Sequence, residues 1–150
     1  MMRTIVIAGL AGLTLAGCGW TPGMRDRSEL VAEPSPCMAK RFEVYFAEGE
    51  ARLTQPALQA IGLTATQLQS CDIRSVKVVG LADAEGGAAA NQTLSERRAV
   101  AVAEALVAAG WPTPAFEVIA AGDTGAVTAE GTNEPLRRRT EVLVEAAPRA

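Results

Sequence analysis

Two side chains of opposite charge could do chemistry together, the carboxylate of Asp83 and the guanidinium of Arg98. Arg98 lies in a long apolar pattern of helical period, and a helix advances about 100° per residue. With Leu94 at zero, the apolar face centres at about 60° and Arg98 falls at about 40°, inside that face. A charge there needs a carboxylate partner or a route to water. Asp83 is the nearest candidate, because a strand end commonly lies beside the first turns of the next helix.

This predicted pair has two interpretations, which the residues alone leave open. In the first, Asp83 and Arg98 form an internal salt bridge that holds a loop. In the second, they face a pocket and bind a ligand that carries an ammonium and a carboxylate, since a guanidinium binds a carboxylate through two parallel hydrogen bonds. The neighbouring Arg97 falls at the polar edge of the helix, so the two arginines are not equivalent.

Few residues of the chain could support catalysis. The chain has no histidine, which excludes Ser-His-Asp and Cys-His catalysis and removes the commonest zinc ligand. Its three cysteines are too few and too far apart for a zinc cluster. Asp83 and Glu85 are both carboxylates, as the catalytic pair of a hydrolase would be. Neighbouring carboxylates in a loop are usually solvated, however, so they do not indicate catalysis. The sequence therefore predicts a protein that is not an enzyme and that has no metal site and no cofactor.

The N-terminal residues have the layout of a secretory signal. Arg3 precedes an apolar run over residues 4–15, which is shorter than the roughly 20 residues needed to cross a bilayer. Residues 15–18 read Leu-Ala-Gly-Cys and resemble the bacterial lipobox, in which the cysteine thiol carries diacylglycerol. The resemblance implies a signal peptide over residues 1–17 and a lipid, with palmitate among its acyl chains, on Cys18. Residue 19 is glycine and not aspartate, which by analogy with enteric bacteria favours the outer membrane.

The other two cysteines form an even pair once Cys18 has its own role. Cys37 precedes the first predicted strand, and Cys71 follows the first predicted helix. An oxidising compartment permits a disulfide between them, which would stabilise the fold by about 3–4 kcal/mol in the chain-entropy model. Two buried free thiols are the alternative, and the disulfide is favoured. Residues 18–36 contain three prolines and no periodic pattern, so they are predicted to be the lipidated N-terminus and a flexible linker.

Periodic patterns after the linker predict four strands and two helices. Alternating apolar residues predict the strands, over residues 41–46, 73–80, 115–120 and 139–145. The first helix has Thr54 as its N-cap, with an apolar face formed by Leu58, Ile61, Ala65 and Leu68. The second helix is predicted to begin at Asn91, its N-cap, and to end near residue 109, before Gly110. A long loop over residues 122–135 precedes the last strand.

This order of elements, βαβαββ, predicts a single α/β domain over residues 37–147. Helices that join strands imply crossover connections and partly parallel pairing. We therefore expect a mixed four-stranded sheet with two main helices packed on it. Residues 148–150 are predicted to be a tail.

A spaced motif joins the second predicted strand to the second helix. It reads D-x(7)-N-x(2)-L-S-x(2)-R-A, from Asp83 to Ala99. Together with the strands around Val44 and Val142, it is similar to the OmpA-like peptidoglycan-binding domain, the family that includes the peptidoglycan-associated lipoproteins. The resemblance covers residues 41–145. It implies that Asp83 binds the ammonium, and Arg98 the α-carboxylate, of the diaminopimelate residue of the stem peptide.

The resemblance also implies two supporting residues. Asn91 would cap the helix and shape the preceding loop, and Arg138 would line the same site. Three positions depart from the usual family pattern: Leu81 replaces a histidine, Ala90 replaces a tyrosine, and Arg137 replaces an asparagine. These departures spare both charges that are expected to bind the ligand.

The sequence as a whole predicts a lipid-anchored protein of the outer membrane whose domain faces the periplasm, binds peptidoglycan non-covalently and tethers the envelope. The alternative is a structural or protein-interaction lipoprotein of the envelope without wall binding, which the change at Leu81 would permit. A formal net charge of −3 disfavours nucleic acid as a partner, since phosphate neutralisation needs a concentrated basic face. Peptidoglycan, the membrane through the lipid, and other envelope proteins are the expected partners.

Overall fold

Four strands and two helices follow one another in the predicted order βαβαββ. The computed structural model describes residues 35–149, so the predicted signal peptide, Cys18 and most of the predicted linker lie outside the described residues. The elements are β1 (Lys40–Tyr45), α1 (Gln55–Gln67), β2 (Cys71–Gly80), α2 (Ala88–Ala108), β3 (Phe116–Ala120) and β4 (Arg139–Pro148). Short 3-10 turns at Thr113–Ala115 and Pro135–Arg137 precede β3 and β4. The predicted fold class is confirmed.

The sheet is mixed, with strand order β1-β4-β2-β3. β2 and β3 are parallel, as the helical crossover between them requires, while β4 runs antiparallel to both β1 and β2. Helix α2 packs across β2, β3 and β4, and α1 packs against α2. The strand side chains in the resulting core are mainly valines: Val44, Val76, Val78, Val142 and Val144. With so few aromatic residues in the chain, these β-branched side chains supply much of the buried apolar surface.

Helix α1 begins as predicted. Thr54 has an extended backbone, and its Oγ1 accepts a hydrogen bond from the N–H of Ala57 at 3.3 Å. The predicted apolar face is buried at three positions, Ile61, Ala65 and Leu68. Leu58 is 40% exposed, so the prediction that it belongs to this face is wrong. It lies in the first turn of α1, and the buried stripe begins one turn later, at Ile61.

Helix α2 begins earlier than predicted. It starts at Ala88, after Gly87, whose extended backbone (φ −97°, ψ 150°) precedes the first turn. Asn91 therefore lies inside the helix, and the prediction that it is the N-cap is wrong. The three alanines at residues 88–90 extend the helix towards its N-terminus, because alanine has the highest helix propensity. Gly110 follows the last turn as predicted, with a φ of +99° that glycine adopts without strain.

Cys37 and Cys71 form the predicted disulfide, with an S–S distance of 2.04 Å and a Cα–Cα distance of 5.4 Å. The bond attaches the chain before β1 to the first residue of β2, and both cysteines lie in the apolar core. Beside the disulfide, β4 extends to Pro148, which pairs with Cys71. The first residue of the predicted tail is therefore part of a strand. Neither described helix is both long and apolar enough to cross a membrane.

Candidate ligand-binding site

The segment that follows β2 is buried and hydrogen-bonded as soon as it leaves the strand. Leu81, Ala82 and Asp83 are at most 4% exposed. The N–H of Leu81 donates to the carbonyl of Arg139 at 3.0 Å, and the N–H of Ala82 donates to the carbonyl of Gly122 at 2.8 Å. These bonds hold the segment between the start of β4 and the loop after β3. They fix the carboxylate of Asp83 at the C-terminal end of β2.

Asp83 forms an ion pair with Arg138, whose Nη1 lies 3.1 Å from Oδ2 of the carboxylate. The side chain of Asp83 is 6% exposed and that of Arg138 is 29% exposed. The sequence predicted that Asp83 and Arg98 meet, but among the ion pairs of residues 35–149 the partner of Asp83 is Arg138. The carboxylate is therefore nearly covered, while the side chain of Arg138 that holds it is partly exposed.

Arg98 is fully buried, as the helical periodicity predicted. Its Nε donates to the carbonyl of Glu50 at 2.8 Å, its Nη1 to that of Leu81 at 2.9 Å, and its Nη2 to that of Ala47 at 3.2 Å. The guanidinium also lies over the ring of Phe46, 5.2 Å from the ring centroid, in a cation–π arrangement. Three backbone carbonyls and an aromatic ring thus replace the carboxylate contact that was expected for this charge.

Asp83 and Arg98 still interact over a longer range. Burial lowers the pKa of the Arg98 guanidinium, and the negative charge of Asp83 opposes this shift. The positive charges of Arg138 and Arg97 lower the same pKa further. Because an arginine stays protonated in proteins, Asp83 lies in the field of two positive guanidinium groups. One of these, Arg98, is immobilised by the backbone, and the other, Arg138, is partly exposed.

Ser95 is a supporting residue that the sequence analysis missed. It is fully buried, and its Oγ donates to the carbonyl of Gln92 at 2.9 Å and accepts from the N–H of Gly122 at 2.9 Å. The carbonyl of Gly122 in turn accepts the N–H of Ala82, so Ser95 helps to position the residue before Asp83. With Leu94 at zero, Ser95 falls at about 100° around the helix, inside the apolar face, and this position could have indicated that it is buried.

Gly80 allows β2 and α2 to approach each other closely at this site. A Cβ built on Gly80 would lie 1.9 Å from the carbonyl oxygen of Ser95 and 2.8 Å from its carbonyl carbon. Both atoms belong to the backbone of a helix, which cannot move aside as a flexible side chain can. The end of β2 therefore touches α2 directly, and only glycine fits there.

The loop between β3 and β4 packs against the same end of the sheet. Nδ2 of Asn91 donates to Oδ2 of Asp123 at 3.0 Å, and Nδ2 of Asn133 donates to Oε1 of Glu85 at 3.2 Å. Asn91 is not a helix cap, but it does hold the start of this loop. One contact holds the loop against the first turn of α2, and the other holds it against the segment that contains Asp83.

Leu81 contributes to the site through its backbone. Its N–H and its carbonyl are both used, by Arg139 and Arg98 respectively. Its side chain is 4% exposed and offers no polar group. The substitution of leucine for the histidine expected from the family pattern therefore leaves the main-chain contacts in place and removes a polar side chain.

Known proteins are similar to this chain in sequence and in fold. A family model described as the OmpA family matches residues 45–140 of the chain. Outer membrane protein A of Yersinia pseudotuberculosis is 32% identical over 148 residues, which cover 91% of this chain and 42% of that protein. The protein of the same name from Serratia odorifera is 38% identical over 90 residues, which cover 59% of this chain and 37% of that protein. The chain thus spans less than half the length of either relative.

Three solved structures have the same fold at comparable identity. The OmpA-like domain of FopA1 from Francisella tularensis has a TM-score of 0.64 at 26% identity, over 73% of each chain. The peptidoglycan-associated lipoprotein from Burkholderia pseudomallei has a TM-score of 0.58 at 25% identity, over 70% of this chain and 90% of that chain. The cell wall anchor of the T6SS from Pseudomonas aeruginosa has a TM-score of 0.58 at 25% identity, over 73% of this chain and 82% of that chain.

Proposed function

This chain belongs to the OmpA family, and from that premise we propose that residues 37–147 form a domain that binds peptidoglycan non-covalently. Two structural relatives support the proposal, since one is named a peptidoglycan-associated lipoprotein and the other a cell wall anchor. The site also has the chemistry of a binding site: opposite charges lie close together, and among residues 35–149 no nucleophile lies beside a base in it. The domain therefore acts by holding its ligand and not by converting it.

The ligand that we assign is the diaminopimelate residue of the stem peptide. The observation that carries this assignment is the environment of Asp83, whose carboxylate is 6% exposed and whose partner Arg138 is partly exposed. Such a carboxylate suits the ammonium of the ligand. The sequence resemblance implies that Arg98 binds the carboxylate of the ligand. Because Arg98 is buried and bonded to three carbonyls, it contributes its positive field and fixes the loops, while Asn91 holds the loop after β3.

We further propose that a lipid on Cys18 anchors the chain in the outer membrane, with the domain in the periplasm. The lipobox-like residues 15–18 support the anchor, and the Cys37–Cys71 disulfide suits the oxidising periplasm. The disulfide attaches the predicted linker to the start of β2, and Asp83 follows the end of the same strand. The disulfide and the candidate site are thus separated by about 30 Å of strand.

Binding to isolated sacculi tests the wall-binding proposal. The full-length chain in mild detergent would be incubated with sacculi and sedimented, as wild type, as Asp83→Asn and as Glu96→Gln. Glu96 is an exposed carboxylate on α2, so its variant removes the same charge without touching the contacts described for the site. We expect the wild type and Glu96→Gln to sediment with sacculi and Asp83→Asn to stay in solution. Labelled peptidoglycan recovered intact from the wild-type sample would separate binding from turnover.

The same experiment decides the alternative of an envelope protein without wall binding. The buried Leu81 side chain favours this alternative, because it offers no polar group where the family pattern usually has histidine. Equal sedimentation of all three proteins would contradict the assignment of Asp83. Absence of wild-type protein from the pellet would favour a role in contacts with other envelope proteins.

Labelling with palmitate tests the anchor independently of the wall. We expect the wild-type chain to incorporate the label and to remain in the membrane fraction. Cys18→Ser should lose both properties, while the Cys37→Ser and Cys71→Ser double variant should keep them. Label on a chain that lacks Cys18 would contradict the proposed attachment point.

A further inference from the structure

We infer that the Cys37–Cys71 disulfide and β2 form a continuous covalent load path, which carries tension across the domain without unfolding it. The disulfide is thereby a mechanical device, in addition to its effect on stability. The inference rests on the proposed function, in which an anchor precedes Cys37 in the chain and the wall binds beside Asp83.

The shortest covalent route from Cys37 to Asp83 passes through the disulfide. Along the backbone the two residues are 46 positions apart, but Cys71 is bonded to Cys37 and lies only 12 positions before Asp83. The 34 positions that separate the two cysteines include β1 and α1, and they form a closed loop beside this route. Tension that enters at Cys37 therefore reaches Asp83 without passing through the loop.

Most of this route is already extended in the folded protein. Ten of its residues form β2, and a strand rises about 3.3 Å per residue, while a fully extended chain spans at most about 3.6 Å per residue. Pulling on the two ends of β2 can therefore lengthen the strand by only about 3 Å. Because the route has so little slack, its covalent bonds carry the tension, and the strands and helices around it need not unfold.

The position of β2 in the sheet also suits a load-bearing strand. β2 lies between β4 and β3, and it pairs with β4 from Cys71 to Gly80, with one register shift. Within residues 35–149, β1 lies at the edge of the sheet and pairs with β4 alone. Without the disulfide, tension at Cys37 would enter β1 and load the hydrogen bonds between β1 and β4. The disulfide thus moves the load from an edge strand to a central strand.

The bond that joins the two parts of the route is protected by the fold. Cys37 is 8% exposed and Cys71 is 3% exposed, and thiol–disulfide exchange requires that a thiolate reach one of the sulfurs. The N–H of Cys71 also donates to the carbonyl of Leu68 at 2.9 Å, which attaches this junction to the end of α1. Burial should therefore slow reduction of the bond while the domain is folded.

Pulling single molecules in two directions tests the inference. The full-length chain in mild detergent, with Cys18→Ser to remove the third thiol, would be held in optical tweezers by its N-terminus and by a second handle. In the first direction this handle is attached at Ala88, an exposed residue shortly after Asp83, through an azide-bearing amino acid. In the second direction it is attached at the C-terminus, so that the load path leaves β2 and includes α2, β3 and β4.

The oxidised protein should unfold when it is pulled from the C-terminus and, at the same forces, stay folded when it is pulled from Ala88. The Cys37→Ser and Cys71→Ser double variant should unfold in both directions, because its load path includes β1 and α1. In the Ala88 direction the double variant should become longer than the oxidised protein by about 110–120 Å. This is the extended length of the 34 positions that the disulfide closes.

Leu106→Ala is the matched control for lost stability. Leu106 is fully buried, so its truncation leaves a cavity and destabilises the core, while the disulfide is kept. This variant should unfold at lower force than the wild type from the C-terminus, and it should still stay folded from Ala88. Resistance in the Ala88 direction would then follow from the covalent route and not from stability alone.

A second measurement connects the load path with the wall. Sacculi fixed to a surface would capture the protein, and a constant force would be applied to its N-terminus. The oxidised protein and Leu106→Ala should stay attached longer under load than the double variant does. Without load, all three should sediment with sacculi equally.

Two outcomes would overturn the inference. The first is unfolding of the oxidised protein from Ala88 at the forces that unfold it from the C-terminus. The second is an equal time of attachment under load for the oxidised protein and the double variant. Both outcomes leave binding to sacculi without load, and so the proposed function, unaffected. Failure of the wild type to sediment would contradict the proposed function and, with it, the role of the load path at the wall.

Discussion

The guanidinium of Arg98 lies over the ring of Phe46, with 5.2 Å between its central carbon and the ring centroid. Phe46 directly follows β1 and Arg98 lies in the interior of α2, so the contact joins the first strand to the helix beside the candidate site. The same guanidinium bonds the carbonyls of Ala47 and Glu50 in the loop after β1. Because Arg98 also bonds the carbonyl of Leu81, one buried charge holds two loops that are distant in sequence. Its removal should therefore lower the stability of the domain, and binding only as a consequence.

Replacing Arg98 by lysine should lower the free energy of unfolding by about 2–4 kcal/mol. One ammonium cannot reach all three carbonyls, and each hydrogen bond to a charged group contributes about 1.5–3 kcal/mol. The measurement is urea unfolding of the full chain followed by circular dichroism. Arg97→Lys makes the same chemical change at an exposed position and should stay within about 0.5 kcal/mol of the wild type. Equal midpoints for the two variants would contradict the structural role of Arg98.

Gly80→Ala should destabilise the protein by about 3 kcal/mol or more. The new Cβ would lie 1.9 Å from the carbonyl oxygen of Ser95, and overpacking a well-packed interior typically costs about 1–3 kcal/mol or, when backbone must shift, more. Gly62→Ala is the control, since a Cβ there meets nothing within 4 Å and should raise stability by about 0.5–1 kcal/mol in a helix interior. Thermal unfolding of both variants would check the opposite signs. A harmless Gly80→Ala would show that β2 and α2 are not in backbone contact.

Ser95→Ala should loosen the segment before Asp83 and lower stability by about 1–3 kcal/mol, because the buried N–H of Gly122 loses its acceptor. Hydrogen exchange should be faster at the amides of Gly122 and Ala82, which are linked through the Gly122 carbonyl. Ser75→Ala removes a partly exposed serine whose Oγ donates to Oε2 of Glu145 at 2.9 Å, and it should leave both amides unchanged. If the two amides exchange at the wild-type rate in Ser95→Ala, Ser95 does not position the segment.

Reducing the Cys37–Cys71 disulfide should lower the free energy of unfolding by about 3–4 kcal/mol. The bond joins cysteines separated by 34 positions, and opening a loop of that length restores conformational entropy to the unfolded chain. Urea unfolding with and without reductant measures the effect. The Cys37→Ser and Cys71→Ser double variant should match the reduced protein and should not respond to reductant. A wild-type midpoint that is insensitive to reductant would contradict this account.

Local patterns in the sequence were sufficient for most of the fold. The alternation around Val76 and Val78 and the helical spacing of Ile61, Ala65 and Leu68 predicted the elements and the faces that are buried. The pair Cys37 and Cys71 was also predicted, because a lipid on Cys18 leaves an even number of cysteines. The errors in the fold lie at the ends of elements, where a few residues decide. Leu58 is exposed in the first turn of α1, α2 begins before Asn91, and β4 includes Pro148.

The sequence by itself determined that a charge is buried at Arg98, because its position on the helix follows from a fixed rotation per residue. It did not determine what compensates that charge, nor which guanidinium holds Asp83. The carbonyls of Ala47 and Glu50 lie 51 and 48 positions from Arg98, and Arg138 lies 55 positions from Asp83. Only the tertiary structure decides such contacts, because they depend on how the sheet order brings the ends of β1, β2 and β4 together.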